Sequence, residues 1–122
     1  MNVLIVEPDG LLGSIYQKVL ESAGHRVVWS TGAQGAITLA DVTTPDVVVL
    51  ELQLRGHSGI EFLYEFRSYP EWQAIPIILH TFVPRQALTL PAQLNVPLHL
   101  YKPTTKLTSL VHAVSEAASV KT

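Results

Sequence analysis

The sequence has no cysteine, few charged residues and no long apolar run. Without cysteine, the chain can form neither a disulfide bond nor a thiolate zinc site, and it has no thiol nucleophile. Charged residues make up only 15% of it, and its eight lysines and arginines are scattered singly. Phosphate-backbone binding needs a cluster of basic residues. We therefore expect no direct nucleic acid contact by this domain.

The longest stretches without Asp, Glu, Lys or Arg are residues 27–40 and 86–101, and glycines or prolines interrupt both. A membrane-spanning helix needs about 20 predominantly apolar residues, so none is expected. The first residues reach Glu7 without the basic segment and cleavage site of a signal peptide. We therefore expect a cytoplasmic location.

The sequence does have a large apolar fraction, 48% of its 122 residues, and a net charge of only −2. A chain of this length fits one domain and buries enough surface for a substantial core. We expect a single domain over residues 1–122, with a core over 1–118 and a tail, or the start of a linker, at 119–122.

Short apolar runs predict five strands: Asn2–Val6, Arg26–Trp29, Val47–Leu50, Ile75–Leu79 and Leu98–Tyr101. The runs are mostly continuous rather than alternating, which is typical of parallel strands that are covered on both faces. Helical patterns follow the strands, so the chain reads as five βα units in an α/β fold.

Five helical segments are predicted between and after these strands. The first has an apolar stripe and ends at Gly24; the stripe is Leu11, Leu12, Ile15, Val19 and Leu20. The second covers residues 32–42, and the third runs from Ser58 to Ser68, with a capping-box spacing from Ser58 to Glu61. The fourth connection lies between the predicted strands Ile75–Leu79 and Leu98–Tyr101. Three prolines interrupt it and leave room for little more than two helical turns over residues 84–90.

The last helix is predicted to be capped by Thr104 or Thr105. Its apolar stripe is Leu107, Leu110, Val111, Val114 and Ala118. In parallel α/β sheets, ligands bind at the carboxyl ends of the strands. The candidate functional residues there are Glu7, Pro8, Asp9, Glu51, Thr81 and Lys102.

Four segments resemble the signature segments of the receiver domain of bacterial response regulators. They occur in the same order and spacing over essentially the whole chain: Leu4–Asp9, Pro45–Gly59, Pro76–Thr81 and Tyr101–Pro103. The resemblance implies a flavodoxin-like (βα)5 fold, with a doubly wound five-stranded parallel sheet of order 2-1-3-4-5. In that family, acids after strands one and three hold Mg²⁺, and the strand-three aspartate accepts a phosphoryl group from a histidine kinase.

Two positions, residues 8 and 51, depart from the family pattern where its chemistry takes place. The phosphoacceptor position holds Glu51, and the two acid positions after strand one hold Glu7 and Pro8. Proline offers no metal ligand, and the longer Glu51 side chain misplaces its carboxylate in a reaction that depends on alignment. We therefore expect weak or absent Mg²⁺ binding and no other cofactor.

Thr81 and the pair Lys102-Pro103 match the residues that contact phosphoryl oxygens in the family. Glu7, Glu51 and Lys102 together carry 2(−1) + 1 = −1, whereas three carboxylates and a lysine in the family give −2. We expect Glu51 to reach Lys102, so that an internal ion pair replaces the metal. The aromatic switch position on strand five is His99 in this sequence.

For two residues, Asp9 and His99, two interpretations each remain open. Asp9 is either a displaced metal ligand or, in the turn formed by residues 7–10, the cap of the first helix. His99 is either a hydrogen-bonded histidine or one that titrates near neutral pH. The remaining histidines, which have no metal-ligand spacing, are interpreted as surface or hydrogen-bonded residues; they are His25, His57, His80 and His112.

The sequence thus predicts an atypical receiver domain that acts in signal transduction as a phosphorylation-independent protein-interaction module. We expect no enzymatic activity, a signalling protein or an output domain as partner, and possible homodimers. Two alternatives are a receiver that is still phosphorylated, within a phosphorelay or as the N-terminal part of a DNA-binding regulator, and a small flavodoxin-like nucleotide-binding enzyme.

Overall fold

Five parallel strands form the central sheet of the computed structural model, which describes residues 1–119 of the chain. The strands are β1 (Asn2–Val6), β2 (Arg26–Ser30), β3 (Val47–Leu50), β4 (Ile77–Thr81) and β5 (Leu98–Tyr101). Their order in the sheet is β2-β1-β3-β4-β5, and all neighbouring pairs are parallel. The predicted doubly wound sheet and its strand order are confirmed.

Two helices cover each face of the sheet. They are α1 (Gly10–Ser22), α2 (Ala33–Val42), α3 (Gly59–Ser68) and α4 (Leu107–Ser119). Buried side chains of α1 and α4 pack on one face, and those of α2 and α3 pack on the other. Within β1, Leu4 contributes to one core and Ile5 to the other. The strands are therefore continuously apolar because both faces are covered.

Side chains and glycines set the helix ends much as the sequence indicates. Asp9 caps α1 by accepting a hydrogen bond from the Leu12 amide at 2.9 Å, and Gly24 follows the helix with a φ of 94°. Ser58 caps α3, but its hydroxyl accepts from the Ile60 amide at 3.0 Å, two residues on, instead of three as the capping box predicts.

The predicted apolar stripes are wrong at the first turns of α1 and α4. Leu11 is 73% exposed and Leu107 is 40% exposed, whereas Tyr16, which was not assigned to the stripe, is buried. Both exposed leucines belong to the first turn of a helix that begins a few residues after a strand has ended, α1 after β1 and α4 after β5. The side chain of Ala118 lies outside the described residues, as do residues 120–122 of the predicted tail, so the boundary at residue 118 stays a prediction.

The predicted helical turns in the fourth connection are wrong as well. Between β4 and β5, all of whose residues are described, there are two single 3₁₀ turns, Arg85–Ala87 and Ala92–Leu94, and no α-helix. Leu88 is extended, with φ −134° and ψ 130°. Leu88 and Leu90 both pack against the core and are separated by the exposed Thr89, a period of two that an α-helix does not provide.

The structure also includes a short antiparallel ribbon after β3, formed by Gln53–Leu54 and His57–Ser58. No helix among residues 1–119 is long and apolar enough to cross a membrane.

Candidate functional site

Four polar side chains meet at the carboxyl edge of the sheet, in a group that we call the strand-end pocket: Glu7, Glu51, Thr81 and Lys102. Glu7, Glu51 and Lys102 each directly follow the last residue of β1, β3 or β5, and Thr81 ends β4. Because these four strands are parallel neighbours, their carboxyl ends lie side by side. The side chains of Glu7 and Lys102 are each 4% exposed, and that of Glu51 is 2% exposed.

The ammonium group of Lys102 lies at the centre of the strand-end pocket. Its Nζ donates to Glu7 Oε1 at 2.5 Å and to Glu51 Oε1 at 2.8 Å. It also lies 4.8 Å from the centre of the Phe82 ring, which is within the range of a cation–π interaction. The predicted contact between Glu51 and Lys102 is therefore present, and Glu7 shares the same cation.

Both oxygens of Glu51 accept hydrogen bonds from more than one donor. Besides Lys102, the Phe82 amide donates to Oε1 at 3.2 Å, and the Gln53 amide donates to Oε2 at 3.0 Å. The Thr81 hydroxyl donates to Oε2 as well. Burial raises the pKa of Glu51, but hydrogen bonds from Lys102, Thr81 and Gln53 outweigh it and bring the pKa below its usual value. Glu51 is thus held as a carboxylate.

The other candidate residues support the pocket from outside. Asp9 is exposed, and its amide donates to Glu7 Oε2 at 3.0 Å while its carboxylate caps α1. This geometry favours the interpretation of residues 7–10 as a turn. Pro8 lies between Glu7 and Asp9 in the chain, and Pro103 follows Lys102 in a 3₁₀ turn, Lys102–Thr104. Neither proline has a side-chain donor or acceptor.

A hydrogen-bonded series leads from the strand-end pocket to the switch position. The Thr81 hydroxyl oxygen accepts from the Val83 amide at 3.1 Å, and the Val83 carbonyl is 2.8 Å from His99 Nε2. Because a carbonyl can only accept, Nε2 of His99 carries the proton. His99 is therefore connected to Glu51 through Val83 and Thr81.

Three residues beside the pocket, His80, Tyr16 and Phe82, were not among the site residues predicted from the sequence. His80 is 3% exposed and packs edge-on against Tyr16 at 4.8 Å between ring centroids. Its Nδ1 has no hydrogen-bond partner among the described residues, so the interpretation of His80 as a surface or hydrogen-bonded histidine does not hold for this atom. Burial, followed by the charge of Lys102, lowers the pKa of His80 to about 4.

The pKa of Tyr16 is shifted in the opposite direction to that of His80. Burial and then the negative charges of Glu7, Glu51 and Asp9 raise its pKa to about 12. The sequence did contain a signal for the burial of His80, because this histidine lies within a continuous apolar strand, directly before Thr81. Phe82 was likewise not predicted, and its half-exposed ring covers the Lys102 ammonium from outside.

The sheet order and the polar pocket at the strand ends define a receiver-type α/β domain. The sequence matches the family described as "Response regulator receiver domain" over residues 3–115. The chain therefore belongs to the response regulator receiver family, whose members act as signalling modules in two-component systems.

Among curated relatives, the chain is 37% identical over 60 residues to the uncharacterized transcriptional regulatory protein YbdJ of Bacillus subtilis, covering 49% of this chain and 26% of that protein. It is 35% identical over 78 residues to the KDP operon transcriptional regulatory protein KdpE of Escherichia coli, covering 64% of this chain and 33% of that protein. The matched part thus spans a third or less of these two relatives.

Solved structures share the fold. A sensor protein from Polaromonas sp. JS666 superposes with a TM-score of 0.89 at 19% identity, covering 99% of this chain and 98% of that one. A putative response regulator from Chloroflexus aurantiacus gives a TM-score of 0.85 at 23% identity, with 97% of both chains covered.

The residues of the strand-end pocket do not fit the Mg²⁺ ion that the family implies. One oxygen of each carboxylate is bonded to the Lys102 ammonium, Glu51 Oε2 accepts from Thr81, and Pro8 offers no side-chain ligand. Among the described residues, no group of three or more His, Cys, Asp or Glu side chains is arranged to hold a metal ion. Lys102 offsets one of the two carboxylate charges, and the pocket is left with a charge of −1, one unit less negative than the family's site.

Proposed function

We propose that this domain is an atypical receiver that acts as a phosphorylation-independent protein-interaction module and has no enzymatic activity. One observation carries the proposal: the Lys102 ammonium bridges Glu7 and Glu51 in a nearly inaccessible pocket. An ion pair fills the place where the family's chemistry requires a metal and an attacking carboxylate.

The bonding of Glu51 explains why phosphoryl transfer is disfavoured. To attack phosphorus, a Glu51 oxygen would have to give up hydrogen bonds to Lys102 and Phe82, or to Thr81 and Gln53. The carboxylate also stands one methylene further from the backbone than that of aspartate. A misplacement of about 1 Å can cost about 100-fold in a reaction that depends on alignment. The hydrogen bonds of Glu51 and the displacement of its carboxylate both disfavour phosphoryl transfer.

The same bonding favours one fixed arrangement of the segment after β4. The negative charge of Glu51 holds Thr81 and the Phe82 amide, and Val83 connects this arrangement to His99. In our proposal, the segment after β4 keeps one conformation, so that its surface is always able to bind a partner. Phosphorylation by a kinase does not change this conformation. The partner is a signalling protein or an output domain, and this domain makes no direct contact with nucleic acid.

Acetyl phosphate with Mg²⁺, followed by intact-mass measurement, tests the proposal. We expect no phosphoryl adduct on the wild-type chain and no joint binding of Mg²⁺ and beryllium fluoride at Glu51 in soaked crystals. An adduct that disappears in Glu51→Gln would show instead that the domain is a phosphorylated receiver. A thermal-shift panel of nucleotides addresses the enzyme alternative, because a ligand at 100 times its Kd adds about 2.7 kcal/mol of stability.

A further inference from the structure

A cavity of about 480 Å³ opens beside the C-terminal half of α3 and includes none of the residues of the strand-end pocket. Six residues line it: Tyr64, Arg67, Ser68, Gln73, Gln93 and Leu94. All but the last have a hydrogen-bonding side chain. The volume lies within the range of small-molecule sites, about 300–1,000 Å³.

Arg67 is the charged residue of this cavity, and it is only 7% exposed. Its guanidinium group donates to three backbone carbonyls: Trp72 at 2.7 Å, Leu94 at 2.8 Å and Asn95 at 2.9 Å. These carbonyls lie at the C-terminal ends of two 3₁₀ turns, Pro70–Trp72 and Ala92–Leu94. The partial negative charge of the turn ends explains how the guanidinium is held in place.

The carbonyls do not neutralise the full charge of Arg67. A guanidinium has five N–H groups, and the three hydrogen bonds use one each on Nε, Nη1 and Nη2, so one N–H on each Nη atom is left without a carbonyl acceptor. Among the described residues, no carboxylate lies within 4.0 Å of Arg67. Buried arginines are ordinarily paired with an anion. The burial of this charge is also reflected in a lowered pKa of Arg67.

The rest of the lining supplies neutral donors rather than a competing acid. Tyr64 is half exposed and carries a hydroxyl group, and Gln93 carries a side-chain amide. One N–H of the Gln73 amide already donates to the Arg67 carbonyl at 3.3 Å, and the Ser68 hydroxyl donates to the Glu65 carbonyl. The Gln73 amide therefore keeps one further N–H.

We propose that this cavity binds a carboxylate, which pairs with the two remaining N–H groups of Arg67 and accepts hydrogen bonds from Tyr64 and Gln93. A free carboxylic acid and an acidic side chain of a partner protein share this chemistry. Charge-assisted hydrogen bonds from arginine to carboxylates are among the stronger polar contacts in proteins. The proposal does not depend on the state of Glu51.

A titration of the wild-type chain, followed by ¹⁵N–¹H NMR at constant ionic strength, tests the site. Sodium acetate represents a free acid, and N-acetyl-glutamate amide represents a side chain. We expect saturable shifts of the Arg67 Nε–H and of the Gln73 and Gln93 side-chain amides, and the tighter ligand identifies the source. Weak, non-saturating shifts spread over the surface lysines and arginines would overturn the proposal.

Two variants at the rim test the same point without disturbing the carbonyl contacts of Arg67. Tyr64→Phe and Gln93→Leu each remove one proposed hydrogen bond and should weaken binding about three- to tenfold. Arg26→Gln, which removes an exposed arginine on β2, serves as the control and should leave the affinity unchanged. Equal affinity of the two rim variants and the wild type, or equal weakening by Arg26→Gln, would contradict the proposed site.

Discussion

Replacing Lys102 by methionine removes the cation from the strand-end pocket while keeping a side chain of similar length. Glu7 and Glu51 then remain as two carboxylates, and the pocket charge changes from −1 to −2. Neither carboxylate is solvated, since their side chains are only 4% and 2% exposed. The variant therefore leaves buried negative charge without a counterion.

The expected loss of stability is large. Removing one partner of a buried ion pair typically costs about 3–5 kcal/mol. Unfolding entropy is about 2.1 cal/mol/K per residue, or about 0.26 kcal/mol/K for the 122 residues of this chain. The Lys102→Met variant should therefore unfold about 12–20 °C below the wild type at neutral pH.

The contribution of the pocket carboxylates to the pH dependence of stability should have opposite signs in the two proteins. In the wild type, the lowered pKa of Glu51 stabilises the folded state above the usual glutamate pKa, and this contribution is lost as the pH falls through the folded pKa. In the variant, buried carboxylates without a cation have raised pKa values, so the folded state binds protons more readily than the unfolded state. Acidification from about pH 7 to about pH 5 should then narrow the difference in stability between the Lys102→Met variant and the wild type.

Urea unfolding followed by tryptophan fluorescence measures both effects, with Lys106→Met as the matched control for an exposed lysine. The control should stay within about 0.5 kcal/mol of the wild type. A loss below about 1 kcal/mol for Lys102→Met, which is typical of exposed ion pairs, would refute the buried bridge. A loss that does not change with pH would refute the assignment of the uncompensated charge to the two carboxylates.

Three further changes have equally defined outcomes. His80→Phe should flatten the fall in stability between about pH 6.5 and pH 4, since the buried neutral histidine gives a slope of up to about 1.4 kcal/mol per pH unit that the variant lacks. Pro8→Asp combined with Glu51→Asp should yield a phosphoryl adduct with acetyl phosphate and Mg²⁺ by intact mass. Gly13→Ala should lower the free energy of unfolding by about 1–3 kcal/mol, because the new Cβ would lie 2.2 Å from the Trp29 ring.

The changes at His80 and Gly13 each have a control on the same chain, and the double aspartate variant has a defined contrary outcome. An exposed histidine, replaced in His112→Gln, should leave the pH slope unchanged, and an equal flattening there would disprove the role of His80. Gly10→Ala has no atom within 4 Å of the new Cβ and should not destabilise the protein. If the double aspartate variant stays unmodified although it folds and binds Mg²⁺, then departures beyond residues 8 and 51 prevent phosphorylation.

The sheet and the strand-end pocket were predictable because they depend on simple rules. Continuous apolar runs locate parallel strands, and the residues directly after those runs must meet at one edge of the sheet. That rule alone brings Glu7, Glu51 and Lys102 together. The extra methylene of Glu51 and the missing acid at Pro8 then indicate a direct contact with Lys102.

Other features depend on tertiary contacts that the local pattern does not encode. In the fourth connection, prolines exclude a long helix, but the choice of 3₁₀ turns depends on Arg67, which lies on α3 and binds carbonyls of residues 94 and 95. Nothing near residues 84–97 signals this arginine. The burial of Tyr16 instead of Leu11 depends similarly on where α1 begins relative to the edge of the sheet.

The bond between Lys102 and Glu7 joins residues 95 positions apart, and the bond between Lys102 and Glu51 joins residues 51 positions apart. Closing loops of this length costs entropy, so such contacts form late in folding. A nascent chain cannot complete the pocket until β5 has been synthesised. Interactions that form after the transition state slow unfolding more than they accelerate folding. We therefore expect the ion pair to set how long the folded domain persists, and so how long its surface stays available to a partner.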